Sequence, residues 1–218
     1  QGEQVPLSSF FEDDKPVLVT LNYYECGSVC NVQLNRLAQS ISQIDLDGDE
    51  FRIVTISIDP GENVALAART RETFLDVVGR PDIEWNFLVG DQEEITTITD
   101  DIGFRYRYDE RTDQFAHLSA LFFLSPEGQI SQYLYGIDYP ARDMKFALME
   151  ASEGSVGSPL DRVLLSCFHY VNGEYTPFAM GVMRLGGTLT AIILAIFLFF
   201  FWKKERSKDE TDNIEAIA

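Results

Sequence analysis

The sequence predicts an α/β fold, a mixed sheet with helices on both faces, followed by one C-terminal transmembrane helix. Three observations carry this expectation. Apolar, β-branched runs and segments of helical spacing follow one another in the order β-α-β-α-β-α-β-β-α, the pattern of a sheet covered by its own crossover helices. A stretch rich in small residues, Glu153 to Pro159, ends that pattern near residue 155. Beyond it, Leu185 to Trp202 runs for 18 residues without a charge, close to the roughly 20 apolar residues that span a bilayer core.

Val17 to Tyr24 (VLVTLNYY) is apolar and β-branched, bounded by Pro16 and by Glu25-Cys26-Gly27, as a buried strand would be. Residues 31–44 then set Val32, Leu34, Leu37, Ala38, Ile41 and Ile44 at helical spacing. Phe51 to Ile58 is a second strand that ends in Asp59-Pro60-Gly61-Glu62, and Asn63 to Val78 is a helix. Glu84 to Val89 forms a short strand, and residues 91–102 a short helix closed by Gly103. His117 to Leu124 and Ile130 to Tyr135 flank Ser125-Pro126-Glu127-Gly128-Gln129, whose residues are those of a turn, so they form a hairpin. Pro140 to Ala151 is the last helix of the domain. This order matches a thioredoxin-like fold with an inserted strand and helix. The expected organisation is residues 1–154 as the functional domain, 155–181 as a membrane-proximal linker, 182–203 as the transmembrane helix and 204–218 as a tail.

Charge sets the topology and limits the partners. Lys203, Lys204, Arg206 and Lys208 follow the span directly, whereas only Arg184 lies close on its other side, so the positive-inside rule puts the tail in the cytoplasm. Residues 1 to about 180 then face the periplasm or the outside of a cell (inner) membrane, anchored by a single pass. The residues after Trp202 include four basic and five acidic ones, so removing their net -1 from the total of -18 leaves -17 on the rest of the chain. That acidity argues against nucleic acid, which is held by clustered Lys and Arg. It also disfavours docking on an anionic membrane surface, while cations and basic proteins are attracted; an acidic surface that merely keeps the domain soluble is the plainer reading. The start at Gln1 shows no charged region followed by an apolar stretch, so no signal peptide is visible; a processed, mature start would look the same.

Three cysteines, Cys26, Cys30 and Cys167, cannot build a disulfide framework, which turns attention to reactivity or metal binding. In Cys26-Gly-Ser-Val-Cys30 the thiols lie four apart where a strand turns into a helix, a spacing that brings them to one face. The positive end of a helix stabilises thiolates. Two such sulfurs can cycle between dithiol and disulfide or bind a soft metal. Three features favour metal. The usual redox motif has two intervening residues, and this one has three. Thioredoxins and their relatives carry a proline facing the thiols, yet no proline lies between Gly103 and Ser125. In that region stands His117, one of only two histidines. Two sulfurs and one imidazole suit Cu(I) and tolerate Cu(II), whereas closed structural zinc would want a fourth ligand. By itself, His117 reads as a solvated or hydrogen-bonded histidine at a strand start; it is the cysteine pair that turns the reading toward ligation.

The segments NYYECGSVCNVQLNRL, SIDPGE, GFRYRYDERTDQFAHLSALFFLSPEG and YLYGIDYPARDMKFALMEASEG resemble the Sco/SenC/PrrC family of copper-binding thioredoxin-like proteins, over roughly residues 3–154. The branch with an added C-terminal membrane helix is the more similar, through Leu160 to Trp202. The resemblance implies copper delivery, or thiol reduction, during assembly of the binuclear copper centre of cytochrome c oxidase. It implies Cys26, Cys30 and His117 as copper ligands, with subunit II of the oxidase or other respiratory-complex subunits as partners. Members often have Pro after the first cysteine where this chain has Gly27, which implies a looser loop.

Asp59 reads in two ways: as an acidic neighbour of the copper site, by the resemblance, or as a helix N-cap ahead of Pro60. Tyr23, Tyr24 and Glu25 lead into Cys26 as docking or packing residues. Cys167 and His169 form a Cys-x-His pair before the span, with Met180 and Met183 as the nearest further soft donors. This is either a second soft-metal transfer point or a buried free cysteine on an amphipathic segment. Three functions therefore compete. They are a copper chaperone, a thiol-disulfide oxidoreductase acting through Cys26 and Cys30 on oxidase cysteines, and a resident accessory subunit of a respiratory complex. The reduction potential of the cysteine pair separates the second from the first.

Overall fold

The computed structural model describes residues 2–26, 29–153, 157, 165, 168–171, 174–177 and 179–215. A 3-10 turn (Leu7–Phe11) precedes β1 (Val17–Asn22), α1 (Val29–Gln43), β2 (Arg52–Ser57), α2 (Val64–Val78), β3 (Trp85–Leu88) and α3 (Gln92–Asp101). Then come β4 (Tyr106–Asp109), β5 (Gln114–His117), β6 (Ala120–Leu124), β7 (Ile130–Tyr135) and α4 (Ala141–Ala151). Two short strands, β8 (Phe168–Val171) and β9 (Glu174–Pro177), and a long helix α5 (Ala179–Glu215) follow.

The main sheet has the order β3-β2-β1-β6-β7. β1 lies parallel to β2, with Val17 opposite Arg52 and Asn22 opposite Ser57, and antiparallel to β6. Because β1 is central and covered on both faces, all six of its residues are buried, Thr20 and Asn22 included, rather than alternating between buried and exposed. Alternation still sorts its side chains. Val17, Val19 and Leu21 join Val54, Ile56, Ile95, Phe104, Ala120 and Phe122 in one cluster, against which Leu7, Phe10 and Phe11 of the 3-10 turn pack. The opposite face receives α1, whose Leu34, Leu37 and Ile41 are fully buried and which packs against α2 and α4. The mixed sheet with helices on both faces, a thioredoxin-like arrangement, is thus present.

Helix ends follow local chemistry. Asn63, not Asp59, caps α2, its side chain accepting from the Leu66 N–H. Gly79, at a φ of 63°, closes the same helix in the left-handed region that disfavours a side chain. Asp91 and Glu94 form a reciprocal capping box on α3.

Three boundaries differ from the sequence reading. The first strand stops at Asn22 rather than Tyr24, because the Tyr24 hydroxyl crosses the end of the sheet to the carbonyls of Thr55 and Leu88. The expected strand His117–Leu124 is two strands. His117 closes the β4–β5 hairpin, Leu118 lies 73% exposed between the strands, and only Ala120 onward enters the main sheet. That hairpin, unforeseen in the sequence, alternates aromatic and polar residues and turns at Asp113, which has a φ of 55°. Lastly, α5 runs past residue 203 through Glu215. Lys, Arg and Glu are good helix formers, so the polar tail continues the helix. Within the segment expected as a linker, β8 and β9 pair as a two-stranded sheet.

All residues from Met183 to Trp202 on α5 are exposed, and that stretch is long and apolar enough to cross a bilayer.

Candidate metal centre

Ligand sites in open α/β sheets gather at the carboxyl ends of the parallel strands, and the residues leading into Cys26 leave the sheet at the end of β1. Tyr23 and Tyr24 are both 6% exposed, and Cys26 is 2% exposed within the same apolar cluster as Val19 and Phe122. Its backbone carbonyl accepts from the Asn31 side-chain amide at 2.6 Å, so the first turn of α1 is tied back to the loop. Cys30 is the second residue of α1, in the turn where the helix presents its positive end. Its side chain, like Gly27 and Ser28, lies outside the described residues.

His117 reaches the same cluster from the β4–β5 hairpin. Its ring lies 5.5 Å from that of Phe104 and 6.3 Å from that of Tyr23, centroid to centroid, and both neighbours are members of the cluster that contains Cys26. Nδ1 stands 3.1 Å from the Leu118 carbonyl, a contact that fixes the tautomer with hydrogen on Nδ1 and makes Nε2 the lone-pair nitrogen. Burial pushes the imidazole below its ordinary value, while the bond to Leu118 pulls the other way with less force. The neutral ring is the form that binds metal.

Asp59 lies after β2 and forms a turn rather than a helix cap. Its carboxylate accepts from the Gly61 N–H at 2.7 Å and its carbonyl from the Glu62 N–H at 3.2 Å. The neighbouring Glu62 went unsingled in the sequence. It is 9% exposed, and its two carboxylate oxygens accept from the Glu25 N–H at 2.8 Å and the Ser57 hydroxyl at 2.6 Å. Burial pushes its carboxyl above the ordinary range, against the hydrogen bonds that lower it. The Asp59 charge adds a further upward push. The only sequence signal for Glu62 was its place in SIDPGE, where it reads as a turn residue.

The structure therefore places His117 against Tyr23 and Phe104, members of the cluster that contains Cys26, and holds Asp59 in the turn after β2. Among the described residues no three His, Cys, Asp or Glu side chains gather at metal-binding range. Cys167 lies outside the described residues; His169 is placed on β8 and Met180 on α5 by backbone alone. Met183 is 71% exposed on α5.

A family model described as SCO1/SenC matches residues 2–150. No curated protein matches the chain. Among solved structures, a candidate electron-transfer protein from Aquifex aeolicus VF5 is 24% identical with a TM-score of 0.59, over 71% of this chain and 87% of that one. BsSco, described as a member of the Sco family of cytochrome c oxidase assembly proteins with a disulfide switch, is 20% identical with a TM-score of 0.52, over 69% and 86%. ScoI from Bradyrhizobium japonicum with copper bound is 19% identical with a TM-score of 0.51, over 67% and 88%. At these identities the likeness is one of fold.

Proposed function

The chain belongs to the SCO1/SenC family, and from that premise we propose that it carries one copper ion on Cys26, Cys30 and His117 as an assembly factor for the binuclear copper centre of cytochrome c oxidase. The observation that carries this reading is the state of His117. A desolvated imidazole whose Nδ1 hydrogen is engaged by the Leu118 carbonyl offers Nε2 as a neutral ligand without first losing a proton. Two thiolates and one such nitrogen form a soft, low-coordinate donor set that takes Cu(I) and tolerates Cu(II). The copper-bound ScoI structure, of the same fold, supports the choice of metal.

The same sulfurs could exchange with a disulfide, and a Cys26–Cys30 disulfide would remove two of the three ligands. Thiol-disulfide exchange needs an accessible sulfur. Cys26 is 2% exposed, which favours the ligand role over that of attacking thiol. Oxidation of the pair then acts as a control on loading.

The apolar stretch Met183–Trp202 serves as the anchor, and the basic residues that follow it hold the tail in the cytoplasm. The domain 1–154 works at the outer face of the membrane, where it meets subunit II of the oxidase. Copper titration of reduced wild type and His117→Ala tests the reading. One equivalent bound by wild type and weaker binding with an altered spectrum in the variant are expected; equal affinity and identical spectra would remove His117 from the site.

A further inference from the structure

The residue just before Cys26 is held by a side chain from another part of the chain. Glu62 sits at the end of the turn that follows β2, and its own N–H closes that turn on the Asp59 carbonyl. One carboxylate oxygen is fixed by the hydroxyl of Ser57, the last residue of β2, which pairs with Asn22, the last residue of β1. The other oxygen reaches across and accepts the backbone N–H of Glu25 at 2.8 Å. The carboxylate thus bridges the rigid end of the sheet and the Tyr24–Glu25 peptide, one peptide unit before the one that carries Cys26.

The rest of the loop is fixed around it. Tyr24 is pinned through its hydroxyl to the Leu88 carbonyl at 2.6 Å, and the Cys26 carbonyl by Asn31 at 2.6 Å. Between those two anchors the Glu62 bond constrains the Glu25 peptide, and with it the direction in which the Cys26 side chain leaves the backbone. Placing a carboxylate at 9% exposure is unfavourable unless its oxygens are engaged. Here one oxygen is engaged by Ser57 at the end of β2 and the other by the Glu25 N–H of the cysteine loop. A buried carboxylate that ties a loop beside a reactive residue to the rigid end of a strand is the arrangement expected of a group that shapes a site.

We propose that Glu62 is the positioning residue of the cysteine site: by clamping the Glu25 amide to Ser57 it keeps the Cys26 sulfur buried and aimed for a metal ion. The consequence for copper rests on the function proposed above, whereas the effect on the thiol does not.

The test uses the full chain in detergent, with Glu62→Ala, Glu62→Gln and Ser57→Ala, and reads two quantities. The first is the rate at which Cys26 is alkylated by a small maleimide in a Cys30→Ser, Cys167→Ser background. The second is Cu(I) affinity by competition with a chromophoric chelator when Cys30 is present. Glu62→Ala is expected to speed alkylation and weaken copper binding, each by about tenfold, since an unclamped loop exposes the thiol. Glu62→Gln keeps a carbonyl oxygen for the Glu25 N–H and is expected to stay within roughly threefold of wild type in both. Ser57→Ala is expected to fall between them. A folded Glu62→Ala that matches wild type, or a Glu62→Gln as perturbed as Glu62→Ala, overturns the proposal. Should Glu62→Ala fail to fold, the glutamine and Ser57 variants decide it. Should wild type bind no copper, the copper reading fails alone and the alkylation rates still judge Glu62.

Discussion

The ring of Tyr23 meets the ring of His117 edge-on, with centroids 6.3 Å apart and planes at 73°. Tyr23 stands three residues before Cys26, and it also meets Phe115 of the same hairpin at 5.4 Å. This packing joins the cysteine loop to the hairpin that bears the histidine. Aromatic pairs contribute about 0.5–1.5 kcal/mol beyond their buried area. Tyr23→Leu, which keeps bulk but loses the edge contact, should weaken Cu(I) binding by roughly threefold to tenfold. Competition titration checks this, with the thermal midpoint followed in parallel to separate loosening of the site from loss of the fold.

His117 should titrate below an ordinary histidine. Burial lowers its folded value from the ordinary 6.5 of a histidine. The unfolded chain therefore takes up its proton first as pH falls, so the stability His117 contributes is present above about pH 6.5 and is lost as pH drops toward the folded value. Urea unfolding between pH 7.5 and 5 should show this loss in wild type and a flatter profile in His117→Phe. An imidazole titration by NMR gives the midpoint directly.

Glu62 should act with the opposite sign. Its folded value is raised from 4.5, so the folded state holds the proton to higher pH than the unfolded chain does. Stability should fall as pH rises through the window above about 4.5 and then level off. Glu62→Gln should lack that fall, so wild type should lose stability relative to it as pH rises, as urea unfolding across that window would measure.

Helix α3 offers a test away from the site. Asp91 accepts from the N–H groups of Glu93 and Glu94, both at 2.9 Å, and Glu94 returns a bond to the Asp91 N–H. Asp91→Ala should cost about 1 kcal/mol, or about 2–4 °C in thermal midpoint, and leave metal binding unchanged.

Much of this architecture was readable because the residues concerned decide it locally. The VLVTLN run reads as a buried strand, and Gly103 after α3 and the Ser125–Gln129 turn of the β6–β7 hairpin use residues suited to those places, whereas the cap of α2 falls on Asn63 and not on Asp59. His117 was found as a candidate but assigned to the wrong element. After His117 the run LSALFFL is apolar apart from Ser119, and nothing local reveals that Leu118 is exposed while its carbonyl turns to the His117 ring. The β4–β5 hairpin escaped notice because its strands are four residues each and its turn is charged rather than rich in Gly and Pro. Asp59 was singled out and Glu62 was not. Which carboxylate of Asp59-Pro-Gly-Glu62 reaches the cysteine loop depends on a contact between residues 37 apart in sequence.

Copper held by two sulfurs and one imidazole has a coordination shell that X-ray absorption reads. Wild type should show two sulfur ligands and one imidazole nitrogen, His117→Ala should lose the nitrogen, and Cys26→Ser should lose one sulfur. A coordination shell that is the same in all three proteins would contradict that ligand set.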